Sequence, residues 1–464
     1  MGIPLLVIVV ALLSTPTTSG PAPGPSTAMC RPIQPEHGPI LIVGNADFTT
    51  ANGVGRGTGI PLDPYRIEHW YVATGAAHGI EVKNTTAHFL IRDILACGVP
   101  PYLHDGVRFD NVTNARIESF DSIYNGAHIR ILKSTNIAID RVGFTGRQVP
   151  WEPGTITGIH VEDSRFVNMT RVNTRWDGQL TTGVSLLQSQ DILIEDSNLG
   201  YTANAIAFSS SSGVTIRRVE VGGGNGIVSG SSSDVRIENT RFLSCLGLRL
   251  AAARDVAILG STFANNADAL VLEGATNVMV DGNSFQPGKG TEYMAGGIAA
   301  TNSRYVVVVR NTFGPVYHGV RLTSTTNASV HHNEFQGPRV PAYDDRGPEN
   351  RWDDGYPSGG NHWSDYAGVD EMSGPNQDLP GPDGIGDTPY VIDGDSRDRY
   401  PILNSGLRPD SGALEPGPAG FEALPSTTAQ LTWRGEGTVA RNLSAPEPRI
   451  PETTVPSCAR QKVK

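Results

Sequence analysis

Basic residues are scarce in this chain: Lys and Arg number 36 against 47 acidic residues, for a formal charge of −11. A nucleic-acid surface needs clustered Lys and Arg to neutralise phosphates, so nucleic acid is set aside as a partner. Sulfur is scarce too, with 4 Cys and 6 Met, no Met-rich tract and no Cys cluster. No Ala/Glu/Lys/Leu run of helical period occurs, which argues against helical architectures. No Walker loop, nucleophile elbow or His-Glu-x-x-His phrase is present either. The long apolar run is confined to residues 3–13, eleven positions. A membrane span needs about 20, whereas this length suits a secretory core, although no Lys or Arg precedes Arg31. The expected product is therefore a secreted, extracellular or cell-surface chain, with residues 1–20 as a signal peptide and no transmembrane segment after its removal.

What the chain has in quantity is Gly, at 54 residues, Pro, at 33, and a period. Ile227 is followed by Val235, Ile237 and Phe242; Leu248 by Val256, Ile258 and Phe263; Leu270 by Val278, Val280 and Phe285; Ile298 by Val306, Val308 and Phe313. Equivalent lead residues stand at Ile80, Val107, Ile129, Ile159, Val184, Ile206 and Val320, giving eleven copies, mostly 21 or 22 residues apart. A fixed period marks a stacked architecture. Apolar and polar residues alternate within each copy, as in half-buried strands, and Gly, Asn, Ser and Asp bound the segments as turn formers. Three short strands per copy predict an all-β fold, a single-stranded right-handed parallel β-helix (solenoid). Like residues then stack on like, about 4.8 Å apart. Phe242, Phe263, Phe285, Phe313 and Phe335 should form an internal ring stack. Asn239, Asn283, Asn311 and Asn333, with Ser197 and Ser261, should share one turn position.

The array spans residues 80–335. A Pro-rich linker, residues 21–38, and an N-terminal cap with the first rung, residues 39–79, precede it. The Gly-rich stretch 52–59 in that cap lacks the Lys-Ser/Thr of a phosphate loop and reads as structural. An Asp/Gly/Trp-rich closing module, residues 336–403, and a Pro-rich flexible tail, residues 404–464, follow. Four longer spacings mark insertions at residues 99–104, 147–157, 173–182 and 286–296. Function concentrates on such interruptions. They carry Tyr102, Trp151, Glu152, Trp176, Asp177 and Tyr293, aromatic rings beside carboxylates that suit a sugar. The expected function is that of a non-catalytic surface or carbohydrate-binding protein, with a polysaccharide or cell-surface glycan held by these loops as its partner. Asp163 with Asp140, or Asp196 with Asp177, would be the carboxylate pairs of a polysaccharide lyase, hydrolase or epimerase. The catalytic phrases of polygalacturonases and pectate lyases are absent from the array.

Gly44-Asn-Ala-Asp-Phe-Thr49, Asp63-Pro-Tyr65 and Ile67-Glu-His-Trp70 open the chain in a recognisable way. The rungs, the run from Asn350 to Tyr366 and Asp383-Gly-Ile-Gly-Asp387 complete the pattern. Over residues 40–403 the sequence resembles the NosD-like group of secreted right-handed β-helix proteins, which is frequent in archaeal surface proteins. That resemblance implies sugar-binding or sugar-hydrolase-type repeats, and it brings copper-site assembly with the family name. Copper ligands are Cys, Met or His. The one adjacent pair among 11 His is His331-His332, and neighbours on a strand point to opposite faces, which speaks against a shared ion. Relatives place alternating Asp before Gly-Ile-Gly-Asp, which implies calcium; here Asp383, Asp387, Asp393, Asp395 and Asp398 remain as oxygen ligands. Cys97 and Cys245 lie about six rungs apart, too far to bond, so a Cys30–Cys458 bridge stays open.

Overall fold

The structure, a computed structural model, describes Cys30 and residues 33–98, 103–145, 156–175, 180–200, 202–243, 246–288 and 295–403. Strands pair in parallel with their equivalents one repeat away. Ile80 lies opposite Val107, Val107 opposite Ile129 and Ile129 opposite Ile159. The register continues through Val184, Ile206, Ile227, Leu248, Leu270 and Ile298 to Val320. These are the lead residues of the sequence period, and the chain is the expected all-β parallel β-helix. Ile40 before Ile80 and Ala342 after Val320 extend the column at its two ends.

One rung shows how the sequence produces the coil. Ile227–Gly230, Ser233–Glu238 and Arg241–Leu243 are its strands. Alternation sends Ile227, Val235, Ile237 and Phe242 inward, where all four are fully buried. Between the second and third strands the chain turns on a single left-handed residue. Arg141, Arg171, Asp196, Arg218, Asn239, Gly260, Gly282, Arg310 and His332 hold this corner in successive rungs, with φ between 47° and 65°. Gly takes that conformation freely, whereas a Cβ there costs about 1–2 kcal/mol. Strand pairing above and below imposes the corner on Arg and His.

The residue after the corner turns inward and bonds along the stack. The Ser261 N–H donates to Asn283 Oδ1 at 2.8 Å. The Asn283 side-chain amide donates to Asn311 Oδ1, that of Asn311 to Asn333 Oδ1, and that of Asn333 to Asn361 Oδ1, each at 3.0 Å. Asn239 does not join this ladder. It is the corner residue of its rung, and Thr240 takes the ladder place, its N–H donating to Ser261 Oγ at 3.1 Å. The ring stack is present as expected, with centroids 4.4, 4.9, 4.8 and 4.9 Å apart from Phe242 to Phe335. Trp363 and then Tyr390 continue it at 4.3 and 4.1 Å, so the closing segment covers the open end of the core with aromatic faces.

At the other end, Glu36–His37 pairs with Tyr71–Ala73, which pairs in turn with the end of Phe89–Cys97. That path brings Cys30 to Cys97, and the two are disulfide-bonded across a sequence separation of 67, Cα atoms 6.2 Å apart. The pairing replaces the Cys30–Cys458 bridge left open above; Cys245 and Cys458 lie outside the described residues. The Gly-rich stretch is a tight turn: a Cβ on Gly57 would fall 2.0 Å from the Pro64 carbonyl oxygen.

The Asn ladder ends on the buried Asp398 carboxylate, which accepts from the Asn361 N–H at 2.7 Å and Trp363 Nε1 at 2.8 Å. Burial pushes this carboxyl up to about 7, against the Asn361, Trp363 and Tyr400 donors that favour its ionised form. A carboxyl raised above its unfolded value of 3.8 stabilises the fold fully below that value, and the contribution is lost as pH rises through 7. The melting temperature of the wild type minus that of Asp398→Asn should therefore fall between roughly pH 4 and pH 8. A pH-independent difference would show that the donors, not burial, govern the group.

A candidate metal centre at the last corner

Tyr102, Trp151, Glu152, Trp176, Asp177 and Tyr293, the residues proposed from the insertions, lie outside the described residues. The closing-module aspartates are described, and Asp383, Asp387, Asp393 and Asp398 accept hydrogen bonds from the module's own groups. Asp383 accepts from the Ile385 N–H at 3.0 Å, and Asp393 from those of Asp395 and Ser396 at 3.0 and 2.9 Å. Asp387 accepts from the Glu371 and Met372 N–H groups at 3.1 Å, and Asp398 closes the ladder. These residues are spread over the module and, among the described residues, form no group of three ligand atoms within 4.8 Å.

Such a group does form one rung earlier. His331, His332 and Asp354 each offer a ligand atom, and all lie within 4.8 Å of one another. His331 Nδ1 is 2.8 Å from His332 Nδ1, with the rings near perpendicular at 77°. This corrects the expectation that the pair must diverge. Alternation holds only along a strand, and the strand Ser329–His331 ends at the first histidine. His332 is the corner, at φ 56°, and the corner swings its ring round to meet the other. The signal was in the sequence: His332 stands in the column of Gly260, Gly282 and Arg310, where two glycines mark a left-handed position.

Asp354 arrives by a different route. In the preceding rung one corner residue separates His331 from Asn333. In the final rung the chain from Asp353 to Asn361 makes a loop instead, before Asn361 resumes the ladder. That loop closes on itself through the Asp354 N–H to the Gly359 carbonyl at 2.9 Å and the Gly359 N–H to the Gly355 carbonyl at 2.8 Å. It is tied to the corner by the His332 N–H, which donates to the Gly360 carbonyl at 2.6 Å. His332 Nε2 meets the Ser358 carbonyl at 3.0 Å, so Nε2 carries the proton and Nδ1 presents its lone pair. Ser358 Oγ donates to Asp354 Oδ2 at 2.7 Å. Burial, and then the neighbouring His332 ring, push the His331 imidazole down to about 4 and keep it neutral near pH 7. Asp353 anchors the loop from below. Burial opposes its charge, but its bonds to Arg399 hold it under the usual carboxylate range.

Two imidazole nitrogens and one carboxylate oxygen suit copper, nickel or zinc. Calcium would take six to eight oxygens. The donor set therefore fits the copper implied by the resemblance.

A second feature runs along the corners. Arg171, Asn173, Asp196, Asn198, Arg218 and Arg241 line an open groove of about 560 Å³, which continues past Arg141 towards Asp93. Its charges are internally paired. Arg218 Nη2 bonds Asp196 at 3.0 Å and Glu195 at 2.8 Å, Arg241 bonds Glu220 at 3.0 Å, and Arg171 Nε bonds Asp140 at 2.8 Å. The same pairs occupy Asp140 and Asp196; of the other two carboxylates considered from sequence, Asp163 is an exposed turn residue and Asp177 lies outside the described residues. Thr145 and Arg175, the strand ends from which the insertions at 147–157 and 173–182 depart, lie opposite each other in register.

Residues 168–368 match the family described as periplasmic copper-binding protein (NosD), a stretch that contains His331, His332 and Asp354. No curated protein matches the chain. Solved structures with a similar coil include the A-module of a mannuronan C-5 epimerase from Azotobacter vinelandii. It has 14% identity and TM-score 0.31, over 61% of this chain and 88% of that one. A surface protein and adhesin of Streptococcus pneumoniae has 13% identity and TM-score 0.38, over 60% and 85%. An alginate lyase has 11% identity and TM-score 0.41, over 67% and 88%. The chain is a parallel β-helix whose residues 168–368 match the NosD family; an archaeal association finds no support in these matches.

Because Gly already serves as the corner at Gly260 and Gly282, His332→Gly should keep the fold and relieve a left-handed Cβ. Its stability is expected to equal or exceed that of the wild type by up to about 1 kcal/mol in urea unfolding. A loss of several kcal/mol would mean that the His332 ring holds the loop in place.

Proposed function

We propose that this NosD-like β-helix is an exported, non-catalytic copper-binding protein whose ligands are His331, His332 and Asp354. The observation that carries the reading is their convergence at one corner inside the family-matched residues 168–368. Each protein group has a part. Ser358 fixes the tautomer of His332 through its carbonyl and orients Asp354 through its hydroxyl. Burial keeps His331 neutral, as a nitrogen ligand must be. A bound ion would supply positive charge and Lewis acidity at a site where Asp354 is the anionic ligand. The apolar run at residues 3–13 supports export, and no helix among the described residues is long and apolar enough to cross a membrane.

Calorimetric titration of the chelator-treated protein with Cu(II) should show one equivalent bound. His331→Ala or His332→Gly should weaken it beyond the roughly 10–100-fold that loss of an outer hydrogen-bond partner costs. Melting raised by calcium and unmoved by copper would instead return the metal reading to Asp383, Asp387, Asp393, Asp395 and Asp398.

A second reading, glycan binding, is favoured by the corner groove. Its Arg and Asp side chains are already neutralised in pairs, so they can share hydrogen bonds with hydroxyls without exposing a buried charge. Trp151, Glu152, Trp176 and Asp177 belong to insertions rooted at the strands that line it, and Tyr102 and Tyr293 to two others. A panel of neutral and uronate polysaccharides should include a ligand whose affinity falls on Arg218→Ala, without change to the polymer. New reducing ends or unsaturated products would make the groove catalytic.

A further inference from the structure

We infer that the last rungs of the sheet carrying the lead column present a separate binding face, built for the carboxylates of an acidic, uronate-bearing glycan. It consists of two tyrosine–arginine pairs on the strands His318–Thr323 and Val340–Asp344 and the turns before them. Arg339 lies over the Tyr317 ring at 5.6 Å, and Arg321 over the Tyr343 ring at 5.4 Å. Register fixes both pairs. Arg321 stands opposite Tyr343, and the Arg339 and Val340 N–H groups donate to the Val316 and Tyr317 carbonyls at 2.9 and 3.0 Å. Both rings are exposed, Tyr317 at 47% and Tyr343 at 42%.

What sets these arginines apart is the part of the guanidinium in use. In the corner groove Arg218 spends its N–H donors on Glu195 and Asp196, and Arg241 on Glu220. Arg321 and Arg339 rest over rings instead, and among the described residues neither guanidinium has a hydrogen-bond or carboxylate partner. Contact with a ring orients the planar group and leaves its N–H donors unspent, a fork that matches a carboxylate bidentately. Burial, assisted by the Arg321 charge, pushes the His318 imidazole below its ordinary value against the pull of Asp268, so His318 is neutral near pH 7. A chain of formal charge −11 repels an acidic polymer as a whole, so such a polymer is held only where free guanidinium groups concentrate. Beside the pairs the outward side chains of the sheet are Ala299, Thr301 and Thr323, small and uncharged. Charge alone would serve inorganic sulfate equally; the exposed rings and the flat floor add what a pyranose ring uses. These strands belong to the lead-residue sheet, whereas the groove and the histidine corner lie between the other two strands of each rung. The inference therefore rests on neither reading above.

The test is calorimetric titration of the full chain with oligogalacturonate and oligomannuronate, and with the same oligomers after reduction of their carboxyl groups to alcohols. At least one uronate should bind, and its reduced form and inorganic sulfate should bind far more weakly. Arg321→Ala and Arg339→Ala should each weaken binding about tenfold to a hundredfold, the usual loss of a hydrogen-bonded charge. Arg321→Lys keeps the charge and the exposed stem, so it should fold normally, yet bind less well because an ammonium cannot fork. Tyr317→Ala should weaken binding too, and Arg218→Ala, in the corner groove, should leave it unchanged. Equal affinity for the reduced oligomers or for sulfate, or no uronate binding at all, would overturn the inference. So would a loss on Arg218→Ala in place of Arg321→Ala, which would leave glycan binding in the corner groove standing.

Discussion

Parallel pairing of each strand with its own equivalent one rung away is the constraint from which the rest follows. It closes the backbone hydrogen bonds of the coil, and it forces side chains of the same position to lie one above another. Aromatic rings stacked in this way gain from offset contact, and amides gain from bonding along the column. Charges cannot be stacked so freely. At the groove the chain places opposite signs in adjacent rungs: Glu195 below Arg217, Asp196 below Arg218, Glu220 below Arg241. The groove is this arrangement seen from outside. Its ion pairs answer the self-repulsion that a uniform charged column would suffer.

The coil was legible in the sequence because its signal is a period, and a period survives errors about any one residue. Lead residues, the Phe stack and most of the ladder followed from spacing alone. What was not legible depended on which residue occupies the left-handed corner. Asn239 resembles Asn283 in type yet lies one position earlier in its rung, so counting by chemistry misplaced it. His331 and His332 seemed to diverge because strand alternation was carried one residue too far. In both cases φ at a single position decided the direction of a side chain, and only the equivalent glycines hint at it. The Cys30–Cys97 bond was hidden for a different reason. It depends on how residues 30–37 fold back on the first rungs, a path that no repeat encodes.

The candidate metal centre lies where regularity ends. A single corner residue serves in rung after rung, from Arg141 to His332. In the last rung a loop from Asp353 to Asn361 takes that place and brings Asp354 and Ser358 over two histidines that the coil had already positioned. The coil alone supplies the pair of imidazole nitrogens, and the loop adds a carboxylate oxygen and the hydrogen bonds around it. The same loop is bound below by Arg399 to the strand ends that close the core, so site and end cap share one piece of backbone.

The asparagine ladder has a direction. From Asn283 through Asn311 and Asn333 to Asn361, every side chain donates its N–H toward the C-terminal end and offers its carbonyl to the rung before. Their dipoles therefore add head to tail, as peptide dipoles do in a helix. The positive pole of this small electret faces Asp398, which serves it as a helix-capping aspartate serves a helix N-terminus. A coil with no helix to speak of thus has a polar axis, with a carboxylate seated at one end.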